Sequence, residues 1–177
     1  MMLSSIFPPI PGLDSLHPLI IHFPIALLLV TPLFLILAMV FPRRAPGFAW
    51  AALILMGLGT IGIFVAIETG ERAGELAERT PQVNAILEQH EELADTTRNV
   101  FIALTLVYAG LLVAAIYLPV LCRRWVSLTA HGVFLVLFLA AGLLLANTAH
   151  RGGRLVHQFG IHALMSEPPP SLADEHY

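Results

Sequence analysis

Four apolar stretches, 16–41, 48–67, 100–121 and 125–146, organise the chain. Each is near or above the ~20 residues that a helix needs to cross a bilayer core ~30 Å thick. The connections differ sharply. Pro42, Arg43, Arg44 and Pro46 separate the first two stretches, and Cys122, Arg123 and Arg124 separate the last two. The long segment 68–98 instead holds eight acids against three arginines. The positive-inside rule puts the two short arginine loops in the cytoplasm. Both termini and the acidic segment then lie outside, in the periplasm of a Gram-negative cell, with the chain in the inner membrane.

Within the acidic segment the pattern changes to that of an amphipathic helix. Thr80 suits an N-cap and Pro81 the first helical position. Val83, Ile86, Leu87, His90, Leu93, Ala94, Thr97 and Phe101 then share one stripe at helical spacing, and Glu88, Gln89, Glu91, Glu92 and Asp95 fall off it. The third helix is therefore expected to begin near Gln82, outside the membrane, and run inward. Residues 68–79 read as a weaker outer helix with Glu68–Arg72 and Glu75–Arg79 at i,i+4 spacing. The fold expected is all-α: a four-helix transmembrane bundle with an extracytoplasmic extension of the third helix. Residues 1–165 form one membrane domain. The proline-containing stretch 166–177 is expected to be a flexible tail. No internal repeat stands out.

Composition agrees with this reading. The 177 residues are 57% hydrophobic and 12% charged, about half the charge of a soluble domain. All nine basic residues are arginine, and a net charge of −3 gives no reason to expect a nucleic-acid partner. The first sixteen residues carry only Asp14 as a charge, which is no signal-peptide n-region, so the first helix is expected in the mature protein. Cys122 is alone, which excludes an intrachain disulfide and a CxxCH haem attachment. The string Gly57-Leu58-Gly59-Thr60-Ile61-Gly62 matches GxGxxG, yet it lies inside a membrane helix, where small residues serve close packing. No Ser-His-Asp, Cys-His or HExxH arrangement is present, so no catalytic residue is expected.

The histidines carry the chemistry. Seven of the eight fall on the outer side: His17, His22, His90, His150, His157, His162 and His176. Neutral imidazole ligates metals and haem iron readily. His17 is expected at an N-cap before Pro18. His22 lies ~8 Å deeper at ~1.5 Å per residue, inside the apolar run, where polar side chains are costly and usually functional. The two point about 140° apart on an unbroken helix, and Pro24 is expected to kink that helix. His90 sits on the apolar stripe and points inward, as a ligand or as a structural histidine bonded to a backbone carbonyl. His131, near the arginine side, reads as structural. The pair Gly152-Gly153 is expected to turn the chain back over the bundle and carry His157, Arg151 and Arg154 towards the other histidines.

The strings His17-Pro18, His22-Phe23-Pro24-Ile25-Ala26, Thr69-Gly70, His90, Gly152-Gly153-Arg154-Leu155-Val156 and Gly160 resemble the bacterial membrane family named domain of unknown function 2231. The resemblance covers about residues 14–162. Related segments are fused to c-type cytochrome domains in some bacterial proteins, so the resemblance implies a link to electron transfer.

The expected function is that of a membrane b-type cytochrome, an electron-transfer subunit of a respiratory or photosynthetic complex rather than an enzyme in its own right. Two histidines on different helices would hold haem b near the outer surface. His22 and His90 are the first pair, with His17 or His157 in reserve. His17 with His157 is a candidate pair for a second haem. Arg151 and Arg154, and behind them Arg72 and Arg98, would neutralise propionates. Expected partners are other subunits of a membrane complex and a c-type cytochrome. The rival readings are a copper or zinc site of His17, His22, His90 and His150, a structural subunit, and a quinone site using a histidine and Glu68.

Overall fold

A computed structural model describes residues 13–75 and 80–160. The expected tail at 166–177, and with it His162 and His176, lies outside these residues. Five helices follow one another: α1 (Leu13–Ile20), α2 (His22–Val40), α3 (Ala45–Glu75), α4 (Pro81–Tyr117) and α5 (Arg124–Phe159). A short 3₁₀ turn, Pro119–Cys122, joins the last two. No strand occurs among the described residues.

The first apolar stretch is one span in two pieces. α1 and α2 meet at Ile21. Pro24 has no N–H to give the carbonyl of Ile20, and the next bond, from the Ile25 N–H to the Ile21 carbonyl, is long at 3.4 Å. The helical backbone nonetheless runs on: Ile21 keeps helical dihedrals (φ −59°, ψ −28°) and its N–H bonds the His17 carbonyl at 3.1 Å, so the span is loosened at Pro24 rather than broken. His17 is not the N-cap expected for it: α1 begins at Leu13, and Pro18 lies inside the helix. Pro18 is the sixth residue of α1, past the unpartnered first turn, so it leaves the carbonyl of Asp14 without its helical N–H.

α3 runs on from the second apolar stretch through Glu68 to Glu75, so residues 68–75 of the expected outer helix are the end of that span, and 76–79 lie outside the described residues. α4 begins as its sequence dictates. Thr80 is extended (φ −104°, ψ 159°), and its hydroxyl accepts from the Val83 N–H at 3.2 Å, with Pro81 next. Its 37 residues make a rod of ~55 Å, longer than a bilayer core. Every member of the stripe from Val83 to Phe101 is buried or half-buried, and Glu88, Gln89, Glu91, Glu92 and Asp95 are exposed.

The fourth span departs from expectation. α5 does not turn at Gly152-Gly153 but continues to Phe159. The chain leaves the helix at Gly160, which adopts the left-handed conformation (φ 66°) and caps the carbonyls of Leu155 and Val156. Glycine permits a turn without imposing one. Leu155, seated in a small cluster with Val83, Ile86 and Leu87, holds this end of α5 against the start of α4.

α2 packs on α3, α3 on α4, α4 on α5 and α5 on α2, closing a four-membered ring, and α1 leans on α3. Leu28, Leu35, Met56, Phe101, Tyr108 and Phe138 fill the centre. Lipid tails are as apolar as leucine, so this contact depends on close packing rather than on expelling water. The GxGxxG string supplies it in part. A Cβ on Gly59 would meet Leu28 Cγ at 2.7 Å, and one on Gly62 would meet Pro24 Cβ at 3.1 Å, whereas Gly57 faces open space. Large apolar side chains such as Leu29, Ile61, Leu106, Val136 and Leu143 cover the outside. That inverts the surface of a soluble protein. Trp50, Tyr117 and Trp125 are exposed near the arginine loops, where aromatic side chains suit a membrane–water interface.

Candidate functional site: an imidazole-lined cavity at one end of the bundle

At the end of the bundle opposite the arginine loops, α1, the start of α2, α3, α4 and α5 line a partly open cavity of about 870 Å³. That volume falls in the range of cofactor and ligand sites, roughly 300–1,000 Å³. His17, His22, His90 and His157 all line it, with Glu71 and Glu91 among the polar residues.

Two of these imidazoles are fixed by the same device. His90 of α4 reaches across to α5, where its Nδ1–H donates to the carbonyl oxygen of Thr148 at 3.0 Å. A carbonyl can only accept, so the proton is on Nδ1 and the lone pair is on Nε2. The residue four places on, at the position that would shield this carbonyl in a helix, is Gly152. A Cβ there would stand 3.1 Å from His90 Cε1. On the other hairpin His17 of α1 lies against α3. Its Nδ1 is 3.2 Å from the Thr69 hydroxyl. That hydroxyl commits its own proton to the carbonyls of Val65 (2.9 Å) and Ala66 (3.1 Å), so it accepts from His17. The Ala66 carbonyl is a further hydrogen-bonding neighbour of the ring. Four residues beyond Ala66 stands Gly70, where a Cβ would be 2.9 Å from His17 Cε1. The two rings are near enough for a charge on His90 to be felt at His17.

Thr148 is itself anchored. Its hydroxyl donates to the Leu144 carbonyl at 3.0 Å and meets the buried Thr97 hydroxyl at 2.9 Å. Thr97 is 2% exposed, so this pair ties the floor below His90 into the core.

The remaining expected site residues fall differently. His22 lines the cavity but is exposed, and its Nδ1–H turns back to the Pro18 carbonyl of its own chain at 2.6 Å. The ~140° between His17 and His22 around the helix does not keep them from the same space: both border it, His17 bonded to α3 and His22 exposed. His157 is exposed at the rim and arrives there on a continuous helix, not on a folded-back loop. His150 is exposed and does not line the cavity.

Neither Arg151 nor Arg154 lines the cavity either. Arg151 donates to the Gln89 side chain beside His90, and its buried Nε has no partner. Arg154 donates to Gln158 at 3.0 Å. Arg72 is paired with Glu68 at 2.6 Å, and Arg98 with Asp95 at 2.9 Å.

Sequence reasoning did not name Thr148, and it did not foresee the roles of Thr69, Gly70 and Gly152 as seats for the rings. The signal that would have found them is a repetition between the two hairpins. Each has a histidine at the outer end of its first helix and, near the end of its second, a glycine four residues after the carbonyl that the histidine approaches.

Fold and site together define a multi-pass membrane protein of four apolar helices with paired, orientation-fixed imidazoles in a cavity at one end. The chain belongs to the family described as predicted membrane protein (DUF2231), whose model matches residues 13–164. No curated protein and no solved structure matches it.

Proposed function

We propose that this protein is a membrane b-type cytochrome that holds one haem b between His17 and His90. The observation that carries the reading is the tautomer. Both rings donate a hydrogen bond from Nδ1–H to partners behind them, which puts the lone pair of each on Nε2, where it can ligate. Orientation of a metal-binding imidazole by a hydrogen bond from its other nitrogen is a general feature of metal sites.

The ligand count favours haem over a bare ion. A copper or zinc site needs three or four protein donors converging on one point. Among the described residues no group of three or more histidine, cysteine or acidic side chains is placed to hold a metal ion. Haem supplies four nitrogens of its own and asks only two from the protein. His22 and His157 then border the haem pocket instead of ligating. Arg151, bonded to Gln89 and with a buried Nε that has no partner in the protein, lies outside the cavity lining and would have to turn inward to meet a propionate.

When bound, haem b would accept and pass on single electrons. The chain's residues fix the two imidazoles, enclose the pocket within apolar walls and place carboxylates at its rim. The arginine loops favour an orientation with the cavity on the periplasmic side of the inner membrane. Exposed acids of α4, such as Glu88 and Glu92, suit the docking of a basic c-type cytochrome. Other subunits of a respiratory or photosynthetic complex would complete the path.

The test is the visible spectrum of the protein purified in detergent from haem-replete cells. The expected result is a Soret band, a reduced-minus-oxidised α-band of bis-histidine haem b, and loss of both in His17→Ala and His90→Ala. A folded protein without Soret absorbance overturns the reading.

A further inference from the structure

The other half of the bundle contains a pair of polar groups that the outer cavity does not use. Tyr108 of α4 is 0% exposed, and its phenol oxygen has no hydrogen-bond partner in the protein. His131 of α5 stands against it, edge to face, with ring centroids 5.9 Å apart, and its buried Nε2 is likewise unpartnered. The His131 Nδ1 lies 2.9 Å from the Ser127 carbonyl, so this ring too carries its proton on Nδ1 and presents a lone pair at Nε2. A donor, the Tyr108 O–H, and an acceptor, His131 Nε2, thus belong to two rings in contact in the low-dielectric interior, each without a partner in the protein.

Such groups are costly to leave unpaired, and a polar side chain at membrane depth is usually functional. Hydroxyls in this region do find partners. One turn earlier on α4, Thr105 meets the buried Thr60 hydroxyl at 3.0 Å. The aromatic stack behind Tyr108, with Phe134 at 4.6 Å between ring centres, holds the phenol in place. His131 is seven residues into α5 from Arg124, ~10 Å from the arginine-bearing end, close enough to bulk water for exchange.

We infer that a single water molecule bridges Tyr108 Oη and His131 Nε2, making a built hydration site inside the bundle near its arginine end. The water accepts from the phenol and donates to the imidazole, and the His131 Nδ1–H passes the chain on to the Ser127 carbonyl. A hydrogen-bonded string then links a fully buried phenol to the second turn of α5. The inference does not depend on haem in the outer cavity.

Solid-state NMR of the full chain in lipid bilayers, with histidine labelled with ¹⁵N, tests it. His131→Asn assigns the resonance. The expected result is rapid magnetisation transfer from water to His131 Nε2, together with a nitrogen shift displaced towards that of a hydrogen-bonded acceptor. In Tyr108→Phe, which removes only the hydroxyl, the water transfer should be lost and the shift should return towards that of a free nitrogen. No water transfer in the unsubstituted protein overturns the proposal, including the case where Tyr108→Phe moves the shift, which would indicate a direct phenol–imidazole bond. Water transfer that is unchanged in Tyr108→Phe overturns the bridge as well. Equal helicity and monodispersity of the variants establish that they remain folded.

Discussion

His90 rests on Gly152: a Cβ on that glycine would come within 3.1 Å of the imidazole Cε1, while the ring donates to the carbonyl of Thr148 four residues earlier. The same spacing recurs where His17 rests on Gly70, four residues after Ala66. A helix carbonyl is normally screened by the side chain above it. Removing that side chain opens the carbonyl to a ring from a neighbouring helix and fixes how the ring is turned.

The adjacent glycines of α5 should therefore respond oppositely to a methyl group. Gly153→Ala meets nothing within 4 Å and should stabilise the helix by ~0.5–1 kcal/mol. Gly152→Ala gains the same propensity but presses on His90, so its net stability should be no higher than that of the unsubstituted protein, and its bound haem should fall. Thermal unfolding in detergent and haem content per protein measure the pair. Equal behaviour of the two variants would show that the seat beneath His90 is unimportant.

Gly70→Ala should be the more disruptive seat substitution. Its Cβ would stand 2.9 Å from a ring already held by Thr69. The ring must leave the Thr69 hydroxyl, and the expected outcome is loss of most bound haem with the helix content retained. Circular dichroism beside the pyridine haemochrome assay separates these effects.

His17 and His22 should part company when each is replaced by alanine. His17→Ala removes a proposed ligand and should abolish the bis-histidine spectrum. His22→Ala removes an exposed ring bonded only to Pro18 and should retain the Soret band. A spectrum lost in His22→Ala and kept in His17→Ala would transfer the ligand role to His22.

In the GxGxxG string, Gly59→Ala sets a methyl 2.7 Å from the buried Leu28 Cγ and should cost ~1–3 kcal/mol through overpacking. Gly57→Ala faces open space and should not. Unfolding titrations in mixed micelles should order the two variants in that way, which marks the string as a packing surface and not a nucleotide loop.

Thr80→Ala removes the acceptor for the Val83 N–H and should destabilise the start of α4 by ~1 kcal/mol. Hydrogen exchange at Val83 and Asn84 would rise first, because the loss is local to the first turn.

Much of this architecture is a matter of local pattern, and local pattern is legible in a sequence. The four spans follow from the length of apolar runs. The start of α4 follows from Thr80 and Pro81, and its buried stripe from helical spacing between Val83 and Phe101. The family likewise shows in short strings such as those around His22 and Gly152. None of these requires knowing where another helix lies.

The site is different in kind. Whether His17, His22 or His157 shares a cavity with His90 depends on the depth and rotation of separate helices. The glycine pair at 152–153 reads locally as a turn. Packing of Leu155 on α4 keeps this part of α5 helical, and the ring of His90 from another helix crowds any side chain at Gly152. Thr148 likewise gains its meaning from a ring 58 residues away in sequence. Hydrophobic periodicity determined which faces turn inward. The tertiary structure alone decided which polar groups meet there, because a hydrogen bond between helices depends on relative positions that neither helix specifies by itself.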